Sequence, residues 1–298
     1  MDRVPTRAST TASRVLPASA GWSGRARAGL AMFAGVLLVA TALSSAAQEQ
    51  GQKPYEPQVG QAGKDVVWVP TPQSLVDKML EIAKATPKDY LIDLGSGDGR
   101  TVITAAKKGL TAHGIEYNPQ MVEVAQKAAK EAGVSDKATF EKADIFESDF
   151  SKAQIITMFL LPWINEKLSP KLLELPAGTR LVSNTFQMGD WQADETATVT
   201  EDCTNYCKAL LWIVPAKAGG TWQLGEAELK LEQKYQMLSG SLQIGEARAP
   251  VTGKLVGTDI VFAAGRNIFT GKVNGAAIEG TVNDSGQESK WTIKRGAK

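Results

Sequence analysis

The chain is poor in the residues that usually carry acid–base and metal chemistry. It has one histidine, His113, and two cysteines, Cys203 and Cys207, among 298 residues. One imidazole excludes a histidine dyad or a metal centre built on several histidines. No metal is expected. Two cysteines allow at most one disulfide. Here they stand for a local disulfide or for buried thiols, because a zinc site would need two further ligands. Charge of one sign is also lacking: 33 Lys and Arg face 32 Asp and Glu, for a net charge of +1. A general attraction to nucleic acid is therefore not expected. The apolar stretch from Leu30 to Leu43 is shorter than the roughly 20 residues of a membrane-spanning helix.

What is present begins with a leader. Arg3, Arg7, Arg14, Arg25 and Arg27 precede the apolar stretch, and Ser45-Ala46-Ala47 follow it. A charged region, an apolar region and a small-residue exit make a secretory signal peptide over residues 1–47, cut before Gln48. The same pattern also reads as a retained membrane anchor, with membrane association through this segment. In both cases the arginines place the body outside the cytoplasm. An organelle-targeting segment is the alternative. Residues 48–64 are rich in Gln, Gly, Lys and Pro and read as a linker.

The remainder has the composition of a globular protein, 43% hydrophobic and 22% charged over the whole chain. Leu75, Val76, Met79, Leu80 and Ile82 recur at helical spacing. Strands are expected at 90–94, 112–116, 138–142, 154–160 and 179–184. Helices are expected at 100–108, 119–132 and 164–175. Such alternation implies a doubly wound α/β sheet with parallel strands, covered on both faces. Its ligand belongs outside the carboxyl ends of the strands.

From residue 219 the helical period stops. Short alternating segments carry a weak repeat: Ser239-Gly-Ser-Leu242, Thr252-Gly-Lys-Leu255, Thr270-Gly-Lys-Val273 and Glu279-Gly-Thr-Val282. This is the texture of a hairpin meander. Gly220-Thr221-Trp222 opens the segment and Trp291-Thr-Ile-Lys-Arg295 ends it. The pair resembles the closing strands of lipocalin-like barrels, where a guanidinium stacks on an indole. Residues 219–298 are thus expected to form a small antiparallel β-barrel or sandwich, after a main domain at 65–218.

The chemistry centres on Asp93-Leu94-Gly95-Ser96-Gly97-Asp98-Gly99-Arg100. A glycine turn between strand and helix ordinarily favours phosphate. Here acids accumulate instead: Asp93 and Asp98 at the turn, Glu116 ending the next strand, and Asp144 just past the third. Carboxylates at successive strand ends suit a nucleoside with a cationic tail better than a dinucleotide pyrophosphate.

These residues resemble the class I, seven-strand, S-adenosyl-L-methionine-dependent methyltransferases over about 65–190. The resemblance implies a Rossmann-like sheet with S-adenosyl-L-methionine as cofactor. It implies Asp93, Gly95, Ser96, Gly97, Asp98 and Gly99 around the methionine part. Glu116 would then grip the ribose, with Tyr117 and Asn118 beside the adenine and Asp144 and Ile145 at its edge. Pro70-Thr71-Pro72, the glycine turn and Leu161-Pro162-Trp163 are most similar to one group within the class. It comprises the mitochondrial lysine methyltransferases acting on ATP synthase and on the adenine nucleotide translocator, with their bacterial relatives. That likeness adds Thr71 to the cofactor side and puts Leu161, Pro162 and Trp163 on the acceptor side, as catalytic candidates.

A protein lysine is the expected acceptor, reached by in-line methyl transfer. A lysine must be neutral to react, so a desolvated approach helps; Trp68, Phe159 and Trp163 would supply it. The alternatives are a small-molecule or lipid acceptor, or an exported module that binds the nucleoside without catalysis. Pro162 and Trp163 also read simply as a helix N1 proline and a core indole.

Overall fold

The computed structural model describes residues 55–296. The leader at 1–47 lies outside the described residues. Among those described, no helix is long and apolar enough to cross a membrane.

Helix α1 (Gln73–Ile82) precedes the alternating region. Then follow β1 (Tyr90–Leu94), α2 (Arg100–Lys107), β2 (Thr111–Glu116), α3 (Pro119–Glu131) and β3 (Ala138–Lys142). Next are β4 (Ile155–Met158), α4 (Pro162–Leu172), β5 (Arg180–Asn184), β6 (Glu195–Thr198) and β7 (Lys208–Ile213). All seven strands share one sheet in the order β3-β2-β1-β4-β5-β7-β6. The expected strands are there, shorter by a residue or two at several ends. The first five are parallel. The far edge departs from the expected all-parallel sheet: β7 runs antiparallel to β5, and β6 antiparallel to β7.

Every residue of β4 is buried, as a parallel strand covered on both faces requires. One face packs on α1, α2 and α3 through Leu75, Val102, Ile103 and Val122. The other packs on α4 through Ile164, Leu168 and Leu172. The apolar spacing of α1 is realised, with Leu75, Val76, Met79, Leu80 and Ile82 all buried.

Beyond the sheet lie β8 (Gly220–Leu224), β9 (Ala227–Lys234), β10 (Met237–Ile244) and β11 (Ala247–Val256). They continue into β12 (Asp259–Ala264), β13 (Asn267–Asn274), β14 (Ala277–Asp284) and β15 (Gln287–Arg295). These eight form a closed antiparallel barrel. Closure removes both free edges. It is made where β15 meets β8, with Arg295 paired to Trp222. The Arg295 guanidinium lies 4.3 Å from the Trp222 ring centroid, as its sequence position implies. Trp222, Phe262, Phe269 and Trp291 fill the interior.

The glycines of the repeat have a steric reason. Gly271 and Gly280 face each other across β13 and β14. A Cβ on Gly280 would sit 1.8 Å from the Thr270 carbonyl oxygen. A small barrel coils its strands so tightly that a side chain has no room there.

The barrel docks on the sheet through the segment after β5. Trp191 is fully buried and stacks on Tyr235, with centroids 5.6 Å apart. The Tyr235 hydroxyl donates to Asp190 Oδ1 at 2.5 Å, and Gln236 Nε2 donates to the Gln192 carbonyl at 2.7 Å. Lys254 Nζ lies 2.8 Å from Asp194 Oδ1.

Candidate active site

A cavity of about 550 Å³ opens at the carboxyl ends of β1, β2 and β4, within the usual size of small-molecule sites. The chain enters it along β1. Asp93 is buried, and its Oδ1 accepts a 2.6 Å hydrogen bond from Thr157 Oγ1 on β4. Burial pushes its carboxyl up to about 7, the Thr157 bond opposes this, and the nearby Asp98 and Glu116 charges add to it. The site therefore holds more negative charge than it can comfortably keep ionised. A cationic guest relieves that directly.

The glycine turn leaves β1 with positive φ at Gly95, Gly97 and Gly99. Gly97 has a second reason to be glycine: a Cβ there would meet Trp68 Nε1 at 2.6 Å. Ser96 Oγ is buried on the cavity wall without a hydrogen-bond partner. Gly99 does not line the cavity but caps the start of α2.

Glu116 is held from two sides. Gly97 N–H donates to Oε2 and Asn118 N–H donates to Oε1, each at 2.9 Å. A carboxylate accepts about four hydrogen bonds, so capacity remains on both oxygens for a vicinal diol. Asn118 lines the cavity, yet its side-chain oxygen caps α3 by accepting from Gln120 N–H. Asp98 is paired with Arg100, with Nη2 at 2.6 Å from Oδ2. Arg100 Nη1 also donates to the Thr71 carbonyl at 2.9 Å. Asn184 donates to Thr71 Oγ1 at 3.2 Å, fixing the Pro-Thr-Pro segment over the site.

Residues 55–64, expected as linker, do not behave as one. They fold back as a strap, with Gly60 N–H bonded to the Trp68 carbonyl and Ala62 bridged to Val67. Lys64 Nζ lies 2.5 Å from Asp144 Oδ2 and 4.7 Å from the Tyr117 ring centroid. The Lys64 ammonium and the Phe146 N–H hold the Asp144 carboxyl below its usual range. Ile145 lines the same wall.

On the acceptor side the expectation is corrected in part. Leu161 lines the cavity; Pro162 and Trp163 do not. Pro162 sits at N1 of α4, and Trp163 is 46% exposed. Ile164 turns inward, and Trp163 lies about 100° away around the helix. The aromatic wall is formed instead by Phe159, Phe186 and Tyr206. Phe186 follows the expected strand β5 with no motif of its own, and Tyr206 carries no sequence signal, because only the antiparallel return of β7 brings it here. The cysteines of that loop, Cys203 and Cys207, are joined in a disulfide.

His113 is remote in role as well as in type. Its Nδ1 is 2.8 Å from Thr139 Oγ1, and it does not line the cavity. The acid-rich wall, the unpartnered Ser96 hydroxyl, the Gly97 cradle and the Glu116 clamp together fit a sulfonium nucleoside.

Residues 93–195 match the family described as ANTKMT methyltransferase domain. A protein-lysine N-methyltransferase of Saccharolobus islandicus is 43% identical over 144 residues, 47% of this chain and 89% of that protein. The adenine nucleotide translocase lysine N-methyltransferase of Mus musculus is 36% identical over 119 residues, 39% of this chain and 52% of its own length. The chain thus spans about half of that mouse relative. Among solved structures, an RNA methyltransferase from Salinibacter ruber in complex with S-adenosyl-L-homocysteine is 46% identical. It covers 50% of this chain and 95% of that one, with a TM-score of 0.47. None of these matches reaches across the barrel's full length together with the sheet. In its sheet domain the chain belongs to the S-adenosyl-L-methionine-dependent methyltransferases, in the family that contains these protein-lysine N-methyltransferases.

Proposed function

We propose that the protein methylates lysine side chains of a protein acceptor. The observation that carries this is the placement of an acid-rich nucleoside cavity beside an apolar wall of Phe159, Phe186 and Tyr206. The similarity to relatives named as protein-lysine methyltransferases points the same way.

Asp93, the glycine turn and Asp98 would hold the methionine part, Glu116 the ribose, and Ile145 and Asp144 the base. When bound, the cofactor would supply an electrophilic sulfonium methyl group to the neutral amine of the acceptor. The chain's part is orientation and exclusion of water. An apolar wall disfavours the charged ammonium and so raises the share of neutral, nucleophilic amine. No histidine stands at the cavity to deprotonate an alcohol, which favours an amine acceptor. The amine proton leaves to solvent.

The Cys203–Cys207 disulfide and the leader together support a compartment outside the reducing cytoplasm. A lipid or small-molecule acceptor carried by the barrel has less support, since aromatic side chains fill the barrel interior. The test is radiolabelled methyl transfer from the cofactor to an extract, followed by mass-spectrometric mapping. Label on lysine that disappears with Glu116→Ala supports the proposal. Label in lipid or in small molecules, or none at all, overturns it.

A further inference from the structure

Three aromatic rings meet at one side of the cavity, and each comes from a different part of the chain. Phe159 follows β4 directly. Phe186 stands two residues past β5. Tyr206 lies in the loop just before β7. Phe159 and Phe186 follow the neighbouring parallel strands β4 and β5, and Tyr206 joins them because β7 runs antiparallel to β5. Asn184 at the end of β5 pairs with Ala209 near the start of β7. Thr185 N–H bonds the Lys208 carbonyl at 2.7 Å. The loop before β7 therefore emerges where the parallel strands end, on the side of the site.

The rings pack on each other. Phe159 and Tyr206 have centroids 5.2 Å apart, Phe186 and Tyr206 5.8 Å, and Phe159 and Phe186 6.0 Å. These spacings leave no room for a guest among the rings; they make a continuous wall. Tyr206 is its outer member, 42% exposed.

Tyr206 is also the member least secured by the sheet. Its φ is 59°, in the left-handed region that a tyrosine seldom occupies. Such a conformation persists only when its surroundings impose it. What imposes it here is the disulfide between Cys203 and Cys207, which closes a ring of five residues with Tyr206 inside it. Val199 N–H bonds the Cys207 carbonyl at 2.9 Å and ties that ring back to the end of β6.

We infer that Tyr206 is a specificity-determining residue for the acceptor, and that Cys203 and Cys207 are its positioning residues. The wall they complete takes the unbranched alkyl stem of an amine acceptor along its ring faces. A full-length lysine stem gains the most contact, and a shorter stem loses the outer ring. This deepens the proposed lysine reading and rests on it for the identity of the acceptor.

The experiment first maps the wild-type methylation site. It then compares peptides of that sequence carrying lysine or ornithine, which is one methylene shorter. Tyr206→Ala is expected to raise the acceptor KM about tenfold, the scale of one lost aromatic contact. It should leave S-adenosyl-L-methionine affinity unchanged by calorimetry and shrink the lysine-over-ornithine preference. Tyr206→Phe should restore most of the loss. A phosphine reductant should reproduce the KM rise in the wild type, and have no effect on Cys203→Ser/Cys207→Ser. That reductant arm needs no substitution, so it stands even where a variant folds poorly. An unchanged KM in Tyr206→Ala, a cofactor affinity that falls in step, or a wild type indifferent to reductant overturns the inference. If the wild type labels no lysine, the functional reading fails by itself. The Tyr206 comparison then runs on whichever acceptor carries the label.

Discussion

The backbone N–H of Gly97 donates to Glu116 Oε2 at 2.9 Å, linking the glycine turn after β1 to the end of β2. One carboxylate thus fixes the turn and faces the cavity. Glu116→Ala removes both roles. Hydrogen bonds to a charged group contribute about 1.5–3 kcal/mol, so the loss in cofactor affinity should be on the order of 10- to 100-fold. Isothermal titration with S-adenosyl-L-methionine measures it; undiminished affinity would exclude Glu116 from the ribose site.

Asp93 gives a pH signature of unusual sign. Its carboxyl is raised to about 7 in the fold, above its unfolded value. Between the ordinary carboxylate range and about 7 the folded chain holds a proton that the unfolded chain has lost. That contribution to stability is full at low pH and is lost as pH rises toward 7. The cofactor-free protein should melt lower at pH 7.5 than at pH 5.5, and Asp93→Asn should flatten this slope. Cofactor affinity should rise over the same interval, as Asp93 ionises beside a cation. Calorimetric melting across pH, with and without the cofactor, reads both.

Gly97→Ala places a methyl group 2.6 Å from Trp68 Nε1 at a φ of 53°. The indole or the turn must shift, and the cavity wall moves with it. Cofactor affinity should fall at least tenfold, while the melting temperature falls only modestly because the sheet core is untouched. Adding Trp68→Leu should recover part of the affinity. If the double variant is no better than the single one, backbone conformation at Gly97 is the larger effect.

Arg295 closes the barrel. Its guanidinium covers Trp222, Nη1 donates to the Gly219 carbonyl and Nη2 to the Lys217 carbonyl, each at 2.7 Å. Arg295→Lys keeps the charge but loses the fork. A destabilisation of about 1–2 kcal/mol is expected, read as an earlier unfolding transition with cofactor affinity intact.

The parallel part of the sheet is legible in the sequence because each element carries a local pattern. Apolar runs such as Ile155–Met158 signal buried strands, and Leu75, Val76, Met79 and Leu80 signal a helix face. The cofactor wall is legible for a similar reason. A glycine turn and strand-end acids sit at regular intervals, so sequence spacing becomes spatial proximity. The antiparallel edge is not: no strand is expected over β6 or β7, and the apolar run of β7 carries no mark of its direction. Nor does the composition of the strap reveal its role: Gln, Gly, Lys and Pro describe a loop but not what it packs on. Its contacts, Lys64 with Asp144 and Gln61 with Met121, span long stretches of chain.

By itself the sequence determined a Rossmann-like sheet with acids gathered at the ends of its parallel strands, an all-β C-terminal part, and a closure between Trp222 and Arg295. Each is encoded in neighbours along the chain or in the two ends of one segment. Only the tertiary structure decided the aromatic wall of the cavity. Tyr206 joins Phe159 and Phe186 when β7 turns back along β5 and the disulfide closes the loop before it. Trp163, adjacent to the motif in sequence, is turned outward by the helix it sits on.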